Sequence, residues 1–553
     1  MVESGQFAGG PYDYVVVGAG TAGCVVAARL SEDPAVRVLL LEAGGSDDSF
    51  WLKIPVGYGR TIADKRVNWC YETEPNEALD NRRVFWPRGK VLGGSGSING
   101  LMYVRGQAAD YDLWRDQGNP GWGYEDVLPY FRMSEDQENG ADRWHGVGGP
   151  VTVSNLTERN PLCDALIASA GAVGIPPNPD FNGERQAGAG YYQASIRRGA
   201  RVSGATAYLR PARQRRNLTV VTEAFAEKLV LDGKRVTGVQ FRRGGQRFVV
   251  RAAREVILSG GTINSPQLLM LSGIGPQQHL RELGIPVVID AAGVGQNLQD
   301  HFGGQITWKC RQPITMNDIM LSNRRKMTAG LRWLLFRNGP LSIPAGQAGL
   351  FTQVLEESGR PDVQFLFQSF SGGYYKDGLF KFSGFANFIC ALRPRSRGHI
   401  ALRSADPGDH PLMKPNYFSD PYDRAVVRAG FKLARRIANA KPLADFISAE
   451  HLPGSDVQTD DEIDAYFREQ GGCVSHQVGT CKMGSDPLAV VDQQLRVRGI
   501  DGLRVADASI MPTEISGNTN AACFMIGERA AAFIKEAARA GLLAPRQAES
   551  IAS

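Results

Sequence analysis

An unbroken apolar run over residues 14–17 stands directly before a cluster of glycines, and apolar side chains resume at helical spacing over 24–30. A short continuous run of this kind fits a strand buried on both faces of a parallel sheet. A second apolar run, 36–41, ends at Glu42. Strand, helix and strand in that order predict a βαβ opening and an α/β fold. The middle of the chain has a different texture. Residues 235–241, 247–251 and 363–367 alternate or carry β-branched and aromatic side chains, which predicts sheet strands. Residues 423–439 and 461–468 have helical periodicity. The end returns to an α/β pattern, with a strand over 503–506, a loop through Asn520 and a helix over 524–540. There is no internal repeat and no low-complexity linker.

Composition narrows the class. The chain has 553 residues and a formal net charge of +5, long enough for more than one structural unit and for a core that needs no disulfide staples. The densest basic stretches, 210–216 and 323–326, are short and lack interleaved aromatics, so they read as surface charge rather than a nucleic-acid platform. Eight cysteines, at 24, 70, 163, 310, 390, 473, 481 and 523, form no CxxC pair and no zinc-like spacing, so no metal site is expected. The first residues lack a basic-plus-apolar leader pattern, and no run of eighteen apolar residues occurs. A cytoplasmic protein without a transmembrane segment is the expectation, with peripheral membrane contact left open.

The glycines after the first strand follow the spacing Gly18-x-Gly20-x-x-Gly23. Gly18 allows the tight turn and Gly20 the close approach of backbone to a pyrophosphate. Gly23 allows close helix–strand packing, and the helix N-terminus at Thr21 and Ala22 favours negative charge. Glu42, followed by Ala43, stands where an acid receives ribose hydroxyls. That acid disfavours a 2′-phosphate and leaves NAD and FAD both open.

Two longer segments bear on the choice: WPRGKVLGGSGSINGLMYVRG over 86–106 and GTINSPQLLMLSGIG over 261–275. Together with GVGQNLQDH over 293–301, RPRSRG over 393–398, SADP over 404–407, GCVSHQVGTCKMG over 472–484 and GNTNAACFMIGER over 517–529, they resemble the motifs of the glucose–methanol–choline (GMC) oxidoreductases. The resemblance covers nearly the whole chain and is nearest to choline-dehydrogenase-like bacterial alcohol dehydrogenases and oxidases. It implies a discontinuous Rossmann-like FAD-binding domain interrupted by a substrate domain on a mainly antiparallel sheet. The implied FAD-binding segments are 10–155, 206–305 and 466–545; the substrate segments are 156–205 and 306–465.

Carried over by position, the resemblance assigns the ADP half of FAD to Gly18, Gly20, Gly23 and Glu42. Leu92, Gly94, Asn99, Gly100, Leu101 and Met102 would line the flavin side, and Ala226 would lie near the adenine. Asp507, Ala508, Asn518 and Thr519 would return to the pyrophosphate and flavin. Some members of the family attach FAD through a histidine just before the position of Asn99. Ile98 stands there, so FAD is expected to be noncovalent.

The same resemblance implies that His476 and Asn520 form the reaction centre. Imidazole titrates near neutrality, so His476 can accept an alcohol proton there. An amide at Asn520 would hold the substrate oxygen. His301 reads as structural. The implied reaction is oxidation of a primary alcohol to an aldehyde, with oxygen or a quinone as electron acceptor. Choline and a non-catalytic flavoprotein are the alternatives. Candidate pocket segments 363–370, 374–375 and 385–388 are rich in Phe and Tyr without an acid. They favour an uncharged alcohol, aromatic or medium-chain aliphatic, over a cationic one.

Overall fold

The computed structural model describes residues 11–373 and 378–542; the expected pocket residues 374–375 lie outside them, as do the chain ends. Two seven-stranded sheets organise the chain. In the first, Leu218–Val221, Val38–Leu41 and Tyr12–Val17 lie side by side and parallel. Parallel pairing continues through the C-terminal half of Gln246–Leu258 to Leu503–Val505. The N-terminal half of the same long strand instead pairs antiparallel with Arg235–Arg243, which pairs with Phe225–Asp232. The alternation over 247–251 marks only its half-exposed part. The extension to Leu258 is continuously apolar because Val256, Ile257 and Leu258 are buried on both faces.

The second sheet is antiparallel throughout, in the order Ile447–Leu452, Phe302–Cys310, Gly384–Ala391, Val363–Gln368, Ala348–Thr352 and Gly188–Tyr191. The pair Gly472–Cys473 adds to Phe302–Cys310, so the chain's last return to the first sheet comes after Cys473. Helix Pro421–Ala438 packs on Gly384–Ala391. It begins where the Asp420 side chain accepts from the Tyr422 N–H and Pro421 occupies the first helical position, both stable starts.

The C-terminal helix runs from Asn520 to Arg539, longer at its start than the pattern predicts. Ala521 and Ala522 are strong helix formers and carry the helix back into what the sequence reading leaves as a loop. Among the described residues no helix is long and apolar enough to cross a membrane.

Candidate active site

One elongated cavity runs between the sheets. All of the expected site residues line it except Gly23 and Leu92. At one end the wall is mostly backbone. Gly18 turns with φ of +99°, and a Cβ there would lie 2.4 Å from the Ser259 carbonyl oxygen, so only glycine fits. Gly94 brings the 86–106 segment onto this turn: a Cβ on it would stand 2.7 Å from Gly20 Cα. Gly23 acts in packing, since a Cβ would fall 2.0 Å from Gly18 O. The N-terminus of Thr21–Leu30 meets that of Asn520–Arg539, and the Thr21 hydroxyl donates to Asn520 Oδ1 at 2.7 Å. Two helix N-termini converge on one stretch of cavity, an arrangement suited to a diphosphate.

Glu42 accepts the Ala19 and Gly44 N–H groups, each at 2.8 Å. Burial pushes its carboxyl up to about 7 against those two bonds. A carboxylate this buried, facing a cavity, is completed by hydroxyl donors such as a ribose diol. Asp507 is engaged inwards: it accepts from Gly261 N–H, Ser265 Oγ and Ser509 N–H at 2.6–2.9 Å. It shapes the turn that carries Ala508. Arg201, absent from the sequence expectations, donates to Asn99 Oδ1 at 2.7 Å, and burial lowers its guanidinium to about 9.

The other end is built from side chains. His476 sits on a loop whose shape is fixed from three sides. Asp300 accepts the His476 N–H at 2.7 Å and the Gln477 side-chain amide. Tyr417 donates to the same carboxylate. Arg88 donates to the Ser475 carbonyl at 2.7 Å and to Gln477 Oε1 at 2.6 Å.

The protons on the imidazoles follow from their partners. His301 Nε2 lies 2.9 Å from the Leu392 carbonyl, which can only accept, so a neutral His301 carries its proton there and leaves Nδ1 as an acceptor. His476 Nδ1 lies 2.9 Å from that acceptor and so carries the His476 proton. The lone pair of His476 Nε2 is thereby left facing the cavity. There it meets Asn518 Nδ2 at 3.1 Å, and Asn518 Oδ1 accepts from Gln364 at 3.2 Å, which orients the amide. Burial, then His301, then the Arg88 cation hold the His476 imidazolium well below the usual histidine range. Burial lowers His301 to about 4. Both rings are neutral at pH 7.

Three expectations change on this geometry. The residue beside His476 is Asn518; Asn520 lies with Thr21 at the diphosphate end, two residues further along and inside the helix. His301 does more than fill space, because it selects the His476 tautomer. The titration of His476 moves below neutrality because the ring is buried beside another imidazole and a cation.

The aromatic segments also change role. Leu366 and Gln368 line the cavity, but Phe365, Phe367 and Phe385 are fully buried, with Phe385 stacked on Trp308. Alternation explains this: on Val363–Gln368 successive side chains face opposite sides, and the aromatic side is core. Met102, Val474 and Leu366 belong to one apolar cluster at the catalytic end.

Glu514 also escapes the sequence reading. It is buried, accepts the His301 N–H at 3.2 Å, and burial and then Asp300 push its carboxyl well up. His301, His476 and Glu514 bring ligand-type atoms within 4.8 Å of one another, but the two Nδ1 atoms already bond each other.

A glycine turn that admits a pyrophosphate, a ribose acid and a reactive histidine at the far end together fit FAD. Comparison with known proteins agrees. The GMC oxidoreductase N-terminal pattern matches residues 12–303 and the C-terminal pattern residues 394–527. The chain is 44% identical to the mitochondrial choline dehydrogenase of Homo sapiens, over 97% of this chain and 91% of that protein. It is 42% identical to the oxygen-dependent choline dehydrogenase of Rhizobium rhizogenes, over 94% of each. Among solved structures, pyridoxine 4-oxidase from Mesorbium loti superposes with a TM-score of 0.86 at 30% identity, over 95% of this chain and 99% of that one. A variant of formate oxidase from Aspergillus oryzae gives 0.91 at 27% identity, over 96% and 99%. The chain therefore belongs to the GMC oxidoreductases and is an FAD-dependent enzyme acting on CH–OH donors.

Proposed function

We propose that the protein oxidises an uncharged, medium-chain aliphatic primary alcohol to its aldehyde, with His476 as base and Asn518 holding the alcohol oxygen. The observation that carries this is the 3.1 Å pairing of His476 Nε2 with Asn518 Nδ2 at the cavity's apolar end. An entering alcohol replaces that direct contact. Its O–H donates to Nε2, and its oxygen accepts from Nδ2 as negative charge develops. FAD, when bound, supplies the acceptor for the hydride from the adjacent carbon, and is held noncovalently because Ile98 offers no nucleophile.

The substrate class rests on what lines the catalytic end. Among the described lining residues the carboxylates are Glu42 and Asp507, and both are engaged at the nucleotide end. A quaternary ammonium placed against Met102, Leu366 and Val474 would be desolvated without a counter-charge, at a cost of several kcal/mol. A second reading, choline, is favoured by the relatives at 42–44% identity.

The test compares kcat/KM for octanol, benzyl alcohol and choline, each with a dye acceptor and with oxygen. Octanol is expected to lead, with benzyl alcohol behind it and choline last. A lead for choline overturns the substrate class and leaves the roles of His476 and Asn518 standing. The two acceptor arms decide between oxidase and dehydrogenase.

A further inference from the structure

The basic stretch 323–326 opens a helix, Asn323–Phe336, that buries only two of its residues, Ala329 and Trp333. Trp333 anchors it by donating from Nε1 to the Gly199 carbonyl at 2.8 Å. Ala329 and Trp333 are four apart and define the inward face. Met327, Leu331, Leu334 and Leu335 fall at i, i+4, i+7 and i+8, a single apolar stripe, and helical geometry sets that stripe opposite the inward face. A surface helix ordinarily turns polar residues outward; this one exposes Leu335 by 71% and Phe336 by 69%. Of fifteen large hydrophobic side chains exposed among the described residues, seven lie between Met320 and Phe336. Phe50 and Trp51, two more, extend the patch, with the Phe50 ring 5.5 Å from Trp333.

The charge on this helix has one sign. Arg324, Arg325, Lys326 and Arg332 are exposed along the helix, Arg337 follows it, and the helix contains no acid. Glu158 pairs with Arg332 at 3.1 Å. Three of the cations stand in the first turn, where the helix dipole disfavours positive charge, so the helix itself gains nothing from them. An apolar stripe edged with Arg and Lys is the pattern of a helix that lies in a membrane interface. At fourteen residues it reaches about 21 Å, short of the ~30 Å needed to span.

We propose that Asn323–Phe336 docks the enzyme on an anionic lipid bilayer, with the Met327–Leu331–Leu334–Leu335 stripe at the acyl boundary and the cations against lipid phosphates. A second copy of the chain is the poorer occupant, because a two-fold contact would set these cations against their own copies, with no acid on the helix to answer them and Glu158 already paired with Arg332. The surface also connects to the site. The segment after the helix, Pro340–Ser342, packs beside Pro55–Gly57. Ala345 then lines the catalytic cavity and donates its N–H to the Gly100 carbonyl at 3.0 Å. Docking on this helix brings the wall of the cavity to the bilayer.

The test is co-sedimentation of the holoenzyme with vesicles of phosphatidylcholine alone or phosphatidylcholine mixed with phosphatidylglycerol, at low and high salt. Binding is expected to the mixed vesicles at low salt and to fall with salt. Leu331→Ser/Leu334→Ser/Leu335→Ser and, separately, Arg324→Glu/Arg325→Glu/Lys326→Glu should each lower partitioning by at least about tenfold. Turnover with a water-soluble alcohol and dye should persist in both, showing that fold and site are intact; single Leu335→Ser serves if the triple variant does not fold. Wild-type protein that stays in the supernatant with anionic vesicles at low salt overturns the proposal. So does binding that neither variant weakens. A wild-type dimer that becomes a monomer in the leucine variant assigns the face to a second copy instead.

Discussion

The two ends of the cavity are built by different means. At the nucleotide end the chain contributes backbone: a glycine turn, two helix N-termini, and Glu42, fixed by the N–H groups of Ala19 and Gly44. All but the helix N-terminus at Asn520, which comes 499 positions after Thr21, are close in sequence or set by spacing, and Gly18 and Gly23 among them are positions where a side chain would collide. At the catalytic end the chain contributes side chains from distant segments. His301, Gln364, Leu392, His476 and Asn518 meet there through contacts spanning up to 175 positions. The nucleotide end tolerates chemistry it never touches. In the proposed mechanism the catalytic end works through one tautomer of one ring, so a single lost hydrogen bond there should cost activity and leave the cofactor in place.

The largest effect expected is that of His476→Ala. General-base catalysis is typically worth ~10²–10⁴-fold, and kcat/KM should fall by about that factor while the protein stays yellow, because FAD is held at the other end. A folded, yellow variant with near-native activity would transfer the base to another residue and erase the contrast between the two ends.

Next comes a pair of asparagines two residues apart that the geometry sends to opposite ends. Asn518→Ala should lower kcat/KM by about 10²-fold, as for loss of one oriented donor, with FAD retained. Asn520→Ala should act on FAD retention, through loss of the Thr21 contact at 2.7 Å, and do less to turnover of the loaded enzyme. The reverse order, measured on matched FAD-loaded preparations, would restore the pairing read from the sequence motif.

That pair also shows where sequence reasoning stops. Gly18, Gly20, Gly23 and Glu42 were legible because their roles follow from spacing after one strand. His476 was legible through a long motif. Asn518 and Asn520 sit in that same kind of motif, and nothing in linear order says that the helix begins at Asn520 and turns its side chain toward Thr21, while Asn518, just outside, turns toward His476. His301 and Glu514 were not legible as site residues. Their role depends on which carbonyl and which ring they meet, and those partners come from other parts of the chain. The phenylalanines of the antiparallel sheet misled for a related reason: composition reveals an aromatic strand, but only the sheet's second face reveals which side the aromatics occupy.

A smaller effect is expected at His301. It holds the His476 Nδ1 proton through a hydrogen bond typically worth 0.5–1.5 kcal/mol, so His301→Ala should lower kcat/KM by roughly 2- to 12-fold. His301→Gln, which keeps an acceptor oxygen, should recover part of that. The pH profile sharpens the point. The base works when unprotonated, so activity falls as acid protonates His476. Because burial, His301 and Arg88 hold that imidazolium below the usual histidine range, the acid limb of kcat/KM should lie below pH ~6.5, the unperturbed histidine value. In His301→Ala the limb should move upward, since the ring that helps bury His476 and hold its imidazolium down is gone. A wild-type limb at or above neutrality, or one that does not respond to His301, would return His301 to a packing role.

The smallest effect concerns attachment of the cofactor, where the two ends should behave alike: neither should form a covalent bond to FAD. Covalent attachment needs a nucleophile against the flavin. Ile98 occupies the position where a histidine would serve, and it is packed with Leu52 and Val91. Among the described lining residues the phenol, imidazole and thiol nucleophiles are Tyr58, His476 and Cys523. Burial pushes the Cys523 thiol up to about 12 and the Tyr58 hydroxyl higher still, so neither is ionised at neutral pH, and the thiolate is the reactive form of cysteine. In the proposed mechanism His476 is committed to proton transfer. Acid precipitation of the holoenzyme should therefore leave all of the yellow colour in the supernatant, and the released compound should match FAD in mass. Colour that stays with the pellet would mean that one of these three side chains is activated when FAD is bound, and peptide mapping of His476→Ala, Cys523→Ala and Tyr58→Phe would show which.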